Sequence, residues 1–128
     1  MRWIRVLFIV AGLYDFLLGL AFWLFGLDIF QFFGVTQPNH IGYIQFPAIL
    51  LVIFGVMFFQ VAKDPIANRV LIPYGIALKC AYAGVVFWHD FKTGIPRMWI
   101  PWAWADVAFL ALFFIAWQQI RASRIKSQ

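Results

Sequence analysis

The chain has 128 residues, 65% of them hydrophobic, 21% aromatic and only 12% charged, with mean hydropathy +0.87 and a formal net charge of +5. A soluble domain of this size buries only about two-thirds of the surface its unfolded chain exposes, and soluble proteins run at about 45–50% apolar and 25% charged residues; the composition excludes a water-soluble globule and points to an integral membrane protein. The basic residues lie at the ends of apolar runs, which excludes a nucleic-acid surface, and the single cysteine, Cys80, excludes an internal disulfide or a Cys-based metal site.

A transmembrane helix needs about 20 mostly apolar residues. Four stretches meet that need, at about 3–26, 41–62, 70–88 and 98–120. The N-terminal MRWIR looks like the start of a signal peptide, but the apolar run behind it is long and contains Asp15, so it reads as a retained first span. Residues 27–35 are too apolar for a free loop. Leu27, Ile29, Phe30, Phe33 and Val35 there suggest a short interfacial helix. In the next link, Asp64 can cap and Pro65 can take the first helical position, so the third helix is expected to begin there. The last link, HDFKTGIPR, carries turn residues at Thr93-Gly94 and Pro96. Cys80, inside an apolar run, reads as a small packed hydrophobe.

Short links force antiparallel neighbours, so the expected fold is all-α: a single transmembrane domain over 1–128, built as an up-down-up-down four-helix bundle. Arg2, Arg5, Lys63, Arg69, Arg121, Arg124 and Lys126 all fall on one side, against Lys92 and Arg97 on the other. The positive-inside rule then puts both termini in the cytoplasm, in a bacterial inner membrane. Trp3 and Trp117 mark the inner interface, and Trp23, Trp88 and Trp99 the outer one, as an aromatic belt requires.

Three ionisable residues interrupt this pattern. Asp15, Lys79 and Asp106 lie mid-span, and at 1.5 Å rise per residue all three reach a similar depth, with Asp15 and Asp106 about 18 Å from the inner boundary. A charge at that depth costs roughly 2.5–3.5 kcal/mol on insertion scales. Small residues flank them: Ala11, Gly12 and Gly19 share a face with Asp15, and Gly75 and Tyr82 share one with Lys79. In a structural reading, Lys79 bridges the two aspartates and locks three helices, with Tyr82 or Tyr14 donating to a carboxylate. In a functional reading, two carboxylates and one ammonium leave a surplus negative charge able to carry a proton or a cationic group.

A second candidate site lies at the outer face. Tyr43, Gln45 and Pro47 form a polar notch which, with Trp99, Trp102, His40 and His89, suits a quinone, a lipid headgroup or a haem b held by the two histidines. The alternative is an aromatic belt, a kinked helix and two histidines in wet loops. No Ser/His/Asp set, glycine-rich phosphate loop or HExxH motif occurs, and the chain has no glutamate; no motif argues for an enzyme, and no cofactor is required.

AGLYDFLLGL in the first span, the KDPIANR link, and the lone Lys79 and Asp106 of the later spans resemble small four-span bacterial inner-membrane proteins of the DoxX-like type. That resemblance implies a four-helix bundle accessory to a membrane redox complex and transfers no site residue. The leading functional expectation is a non-catalytic accessory or scaffold subunit, in contact with membrane lipids and with other membrane subunits or copies of itself. The alternatives are a small proton-coupled transporter or binder using Asp15, and a quinone, lipid or haem binder at the outer face.

Overall fold

The computed structural model describes residues 2–127, with side chains through Ile125; Met1, Gln128 and the Lys126 side chain, counted above on the basic side, lie outside the described residues. Among the described residues there are four long helices and no strand: α1 (Arg2–Phe32), α2 (Gly42–Lys63), α3 (Ile72–Lys92) and α4 (Ile100–Ser127). Single 3-10 turns, Arg69–Leu71 and Arg97–Trp99, lead into α3 and α4. Each helix is long and apolar enough to cross a membrane. Their outward faces carry large apolar side chains, such as Leu17, Ile53, Val85 and Trp104, each more than half exposed; patches of that extent suit lipid and would aggregate in water.

The molecule is two hairpins. Helix α1 lies along α2 and α3 along α4, while the hairpins meet each other at fewer points. Neighbours run antiparallel, since Gly12 meets Gly55, Gly19 meets Ala48 and Gly26 meets Ile44. Gly12, Gly19 and Gly26 recur every seven residues, so they form one line along α1 and let α2 approach backbone to backbone. Asp15 lies three residues from Gly12, at the edge of that line, and is buried. The small-residue face read from sequence therefore belongs to α2, and Asp15 is turned towards the other hairpin.

At the end that carries the termini, the hairpins are closed by a core of Ile4, Leu7, Phe8, Phe58, Val61, Ile72, Phe113, Ala116 and Ile120. Phe8 stacks on Phe113 with centroids 4.7 Å apart, and Phe58 lies 5.1 Å from Phe113. Trp3 Nε1 donates to Gln119 Oε1 across 2.9 Å, tying the first helix to the last.

The short helix expected over 27–35 is present as a bent-off segment that ends at Phe32. Helix α1 continues to Phe32 through a kink at Phe25 (φ −128°, ψ 22°), just before Gly26. The bent end turns Phe30 inward onto Ile44, Met98 and Trp99, while Phe32 and Phe33 stay exposed. It stops in a Schellman motif: Val35 N–H donates to Phe30 O (2.9 Å), Gly34 N–H donates to Gln31 O (3.1 Å), and Gly34 sits at φ +67°. A Cβ at Gly34 would meet nothing within 4 Å, so Gly34→Ala tests the backbone alone. It should cost about 1 kcal/mol, read as a lower thermal unfolding midpoint in detergent. An unchanged midpoint would mean that the turn adapts freely.

Two expectations are corrected. Asp64 Oδ1 accepts from Ala67 N–H (3.1 Å), but it caps only one isolated turn, and α3 starts at Ile72 with Pro73 in its first turn. Cys80 is exposed on the outer side of α3, because the buried positions of that helix are Ile72, Gly75, Lys79, Ala83 and Val86.

Candidate functional site

The buried stripe of α3 advances by three and four residues and carries Lys79 to the centre of the bundle. Its ammonium Nζ donates to Asp15 Oδ1 at 2.9 Å and to Asp106 Oδ1 at 3.0 Å. The Asp106 bond closes the α3–α4 hairpin on itself; the Asp15 bond joins the two hairpins. Charge-assisted bonds of this length are about twice as strong as neutral ones, and no water competes for them here, since Lys79 and Asp15 are each only 1% exposed. The rings of Phe109, Tyr14 and Phe58 surround the ammonium, with centroids 5.1, 5.3 and 5.7 Å away. Their negative faces suit a cation.

Neither tyrosine donates to a carboxylate as expected. The Tyr82 hydroxyl donates to the Trp99 carbonyl at 3.0 Å, which fastens α3 to the turn before α4. Among the described residues the Tyr14 hydroxyl has no hydrogen-bond partner, and neither do Asp15 Oδ2 and Trp102 Nε1. All three atoms are buried. An unpaired buried polar group costs on the order of 1–3 kcal/mol, so three at one place mark it as unusual.

That place is the base of a cavity of about 570 Å³. The hairpins are sealed by phenylalanines in the halves that carry the termini and diverge in the halves away from them, where the bent end of α1 roofs the gap through Phe30. Asp15, Asp106, Tyr14, Tyr82 and Trp102 line its lower part; Tyr43, Pro47, Leu51, Phe54 and Trp99 line the rest, with Thr36 and Pro38 from the α1–α2 link. A shallow depression on the outside of the α1–α4 seam shares Tyr14, Leu18 and Trp102, so these three side chains form a thin wall between cavity and exterior.

The two sites read separately from sequence thus overlap in this cavity. Three of the expected outer-face residues, Tyr43, Trp99 and Trp102, line the cavity; Gln45, His40 and His89 do not. On α2 the cavity-facing residues are Tyr43, Ile44, Pro47, Ala48, Leu50, Leu51 and Phe54, one helical face, and Gln45 falls outside it. The His40 ring is used locally, its Nδ1 accepting from Gly42 N–H at 2.9 Å, and His89 is exposed near the end of α3. Among the described residues, no group of three His, Cys, Asp or Glu side chains is placed to hold a metal ion. Trp99 is a cavity wall, stacked near Phe22 (6.4 Å) and edge-on to Phe30 (5.6 Å).

No family model, curated protein or solved structure matches this chain.

Sequence reasoning missed Phe22, Phe30, Leu51 and Phe54 as wall residues. The signal was present in Pro47, which removes one N–H from α2 beside Tyr43 and marks the helix face that borders the gap.

Proposed function

We propose that the chain is a multi-pass inner-membrane protein, both termini cytoplasmic, which binds a lipid-soluble amphiphile in the outer-half cavity. The observation that carries this reading is the pairing of a mainly apolar, aromatic-walled cavity of about 570 Å³ with unpaired polar atoms of Tyr14, Asp15 and Trp102 at its base. Ligand sites typically enclose about 300–1,000 Å³, with apolar walls and a few convergent polar groups. The hydroxyl of Tyr14 and the indole N–H of Trp102 are donors, and Asp15 Oδ2 is an acceptor. A ligand head with both an acceptor and a donor or positive group satisfies them, while its apolar body lies against Leu51, Phe54 and Trp99.

The membrane topology is supported by the shared end of Arg2, Arg5 and Arg121 with the Trp3–Gln119 bond. Reporter fusions at each end test it: activity that requires the periplasm, at either terminus, would reverse the orientation. The resemblance to DoxX-like proteins rests on sequence and carries none of this proposal.

Binding is testable with a short-chain benzoquinone, chosen because it is flat, neutral and quenches tryptophan on contact. Quenching in nanodiscs should saturate for the wild type, and Leu51→Trp, which fills the cavity, should abolish the saturable part. Tyr14→Phe removes one donor and should weaken binding about fivefold, the worth of one hydrogen bond. Linear quenching in the wild type, identical to that of Leu51→Trp, would sink the proposal.

A further inference from the structure

Resting on the cavity reading above, we infer that the natural occupant is a hydrophobic organic cation. The ionisable groups around the centre come from three helices: Tyr14 and Asp15 on α1, Lys79 and Tyr82 on α3, and Asp106 on α4; α2 contributes only Tyr43, higher in the wall. Counted formally, two carboxylates and one ammonium leave one negative charge. Lys79 uses only one oxygen of each carboxylate.

Position decides which charge the cavity sees. Asp15 and Asp106 belong to the cavity wall, whereas Lys79 does not, and among the described residues the wall contains no lysine, arginine or histidine. The ammonium sits behind the carboxylates, among the rings of Phe58 and Phe109. A guest therefore lies against aromatic faces and the Asp106 carboxylate, with the Asp15 carboxylate buried just beneath, and all of these attract cations. The second oxygen of Asp15 is 99% buried with its side chain and has no partner among the described residues. An apolar guest leaves that oxygen desolvated and unpaired; an anion is repelled by it; a cation pairs with it.

Three probes of one shape and different charge separate these cases: tetraphenylphosphonium, tetraphenylsilane and tetraphenylborate. Equilibrium dialysis of the full-length protein in detergent, corrected with protein-free micelles, gives the affinity of each. The phosphonium should bind at least about tenfold more tightly than the silane, and the borate more weakly than both. In Asp15→Asn the remaining carboxylate is balanced by Lys79, so the preference should fall to about threefold or less while silane binding persists. Equal binding of phosphonium and silane to the wild type overturns the cationic occupant and leaves the cavity reading standing. Tighter binding of the borate also overturns it. Failure of all three probes, together with non-saturating quenching by the benzoquinone, overturns both. The wild-type comparison needs no variant to fold, so it decides the matter alone if Asp15→Asn is unstable.

Discussion

Lys79→Met should be the most damaging single substitution in the chain, lowering stability by about 3–5 kcal/mol. The ammonium is the shared donor for the two carboxylates, at 2.9 and 3.0 Å. Without it Asp15 and Asp106 face each other in a buried site, as like charges or as carboxyl groups short of partners. The polar link at the centre of the bundle is lost at the same stroke, leaving the hairpins joined by the apolar core around Phe8, Phe58 and Phe113 and by the Trp3–Gln119 bond. Asp15→Asn should cost less, because the Lys79–Asp106 pair stays neutral and intact. The triple variant Asp15→Asn, Lys79→Met, Asp106→Asn should be more stable than Lys79→Met alone, because breaking a buried ion pair costs more than replacing it whole. Thermal loss of helicity in detergent ranks the three. If Lys79→Met melts with the wild type, the cluster contributes nothing to holding the hairpins together.

The second large effect belongs to the α1–α2 seam. A Cβ on Gly19 would lie 2.6 Å from Ala48 O and 2.9 Å from Val52 N, and one on Gly55 would lie 2.8 Å from Phe16 N and 2.9 Å from Gly12 O. These obstacles are backbone atoms, which cannot rotate away as a side chain can. Gly19→Val or Gly55→Val must push the helices apart over several turns, at the upper end of the roughly 1–3 kcal/mol that overpacking costs. Separation also shifts Asp15 relative to Lys79, so ligand binding should fall together with stability. Gly84→Ala is the control: a Cβ there meets nothing within 4 Å, and the gain in helix propensity should make it neutral or mildly stabilising. Equal melting of Gly19→Val and Gly84→Ala would show that the close approach is dispensable.

Much of the fold was legible in the sequence because the lipid environment leaves few choices. Backbone groups in hydrocarbon must pair within a helix, so four apolar runs become four helices whatever their packing. The rise per residue then fixes depth, which is why Asp15, Lys79 and Asp106 stand out from the order of residues alone. Helix ends were legible where the chemistry is local, as at Thr93-Gly94, where Gly94 takes φ +74° and donates to Asp90 O.

What the sequence left undecided is which faces meet. Nearly every residue of these helices is apolar, so the contrast that sorts inside from outside in a soluble protein is absent. The bend at Phe25, the inward turn of Phe30, the exposure of Cys80 and the exclusion of Gln45 from the wall all depend on how hairpins pack, not on local preference. Depth along each helix was set by the sequence through a fixed rise. That Lys79 lies behind two carboxylates, which line a cavity beneath a roof made by the end of α1, was decided only by tertiary packing, because the halves near the termini, sealed by phenylalanine, and the far halves, held apart, differ in side-chain fit rather than in hydrophobicity.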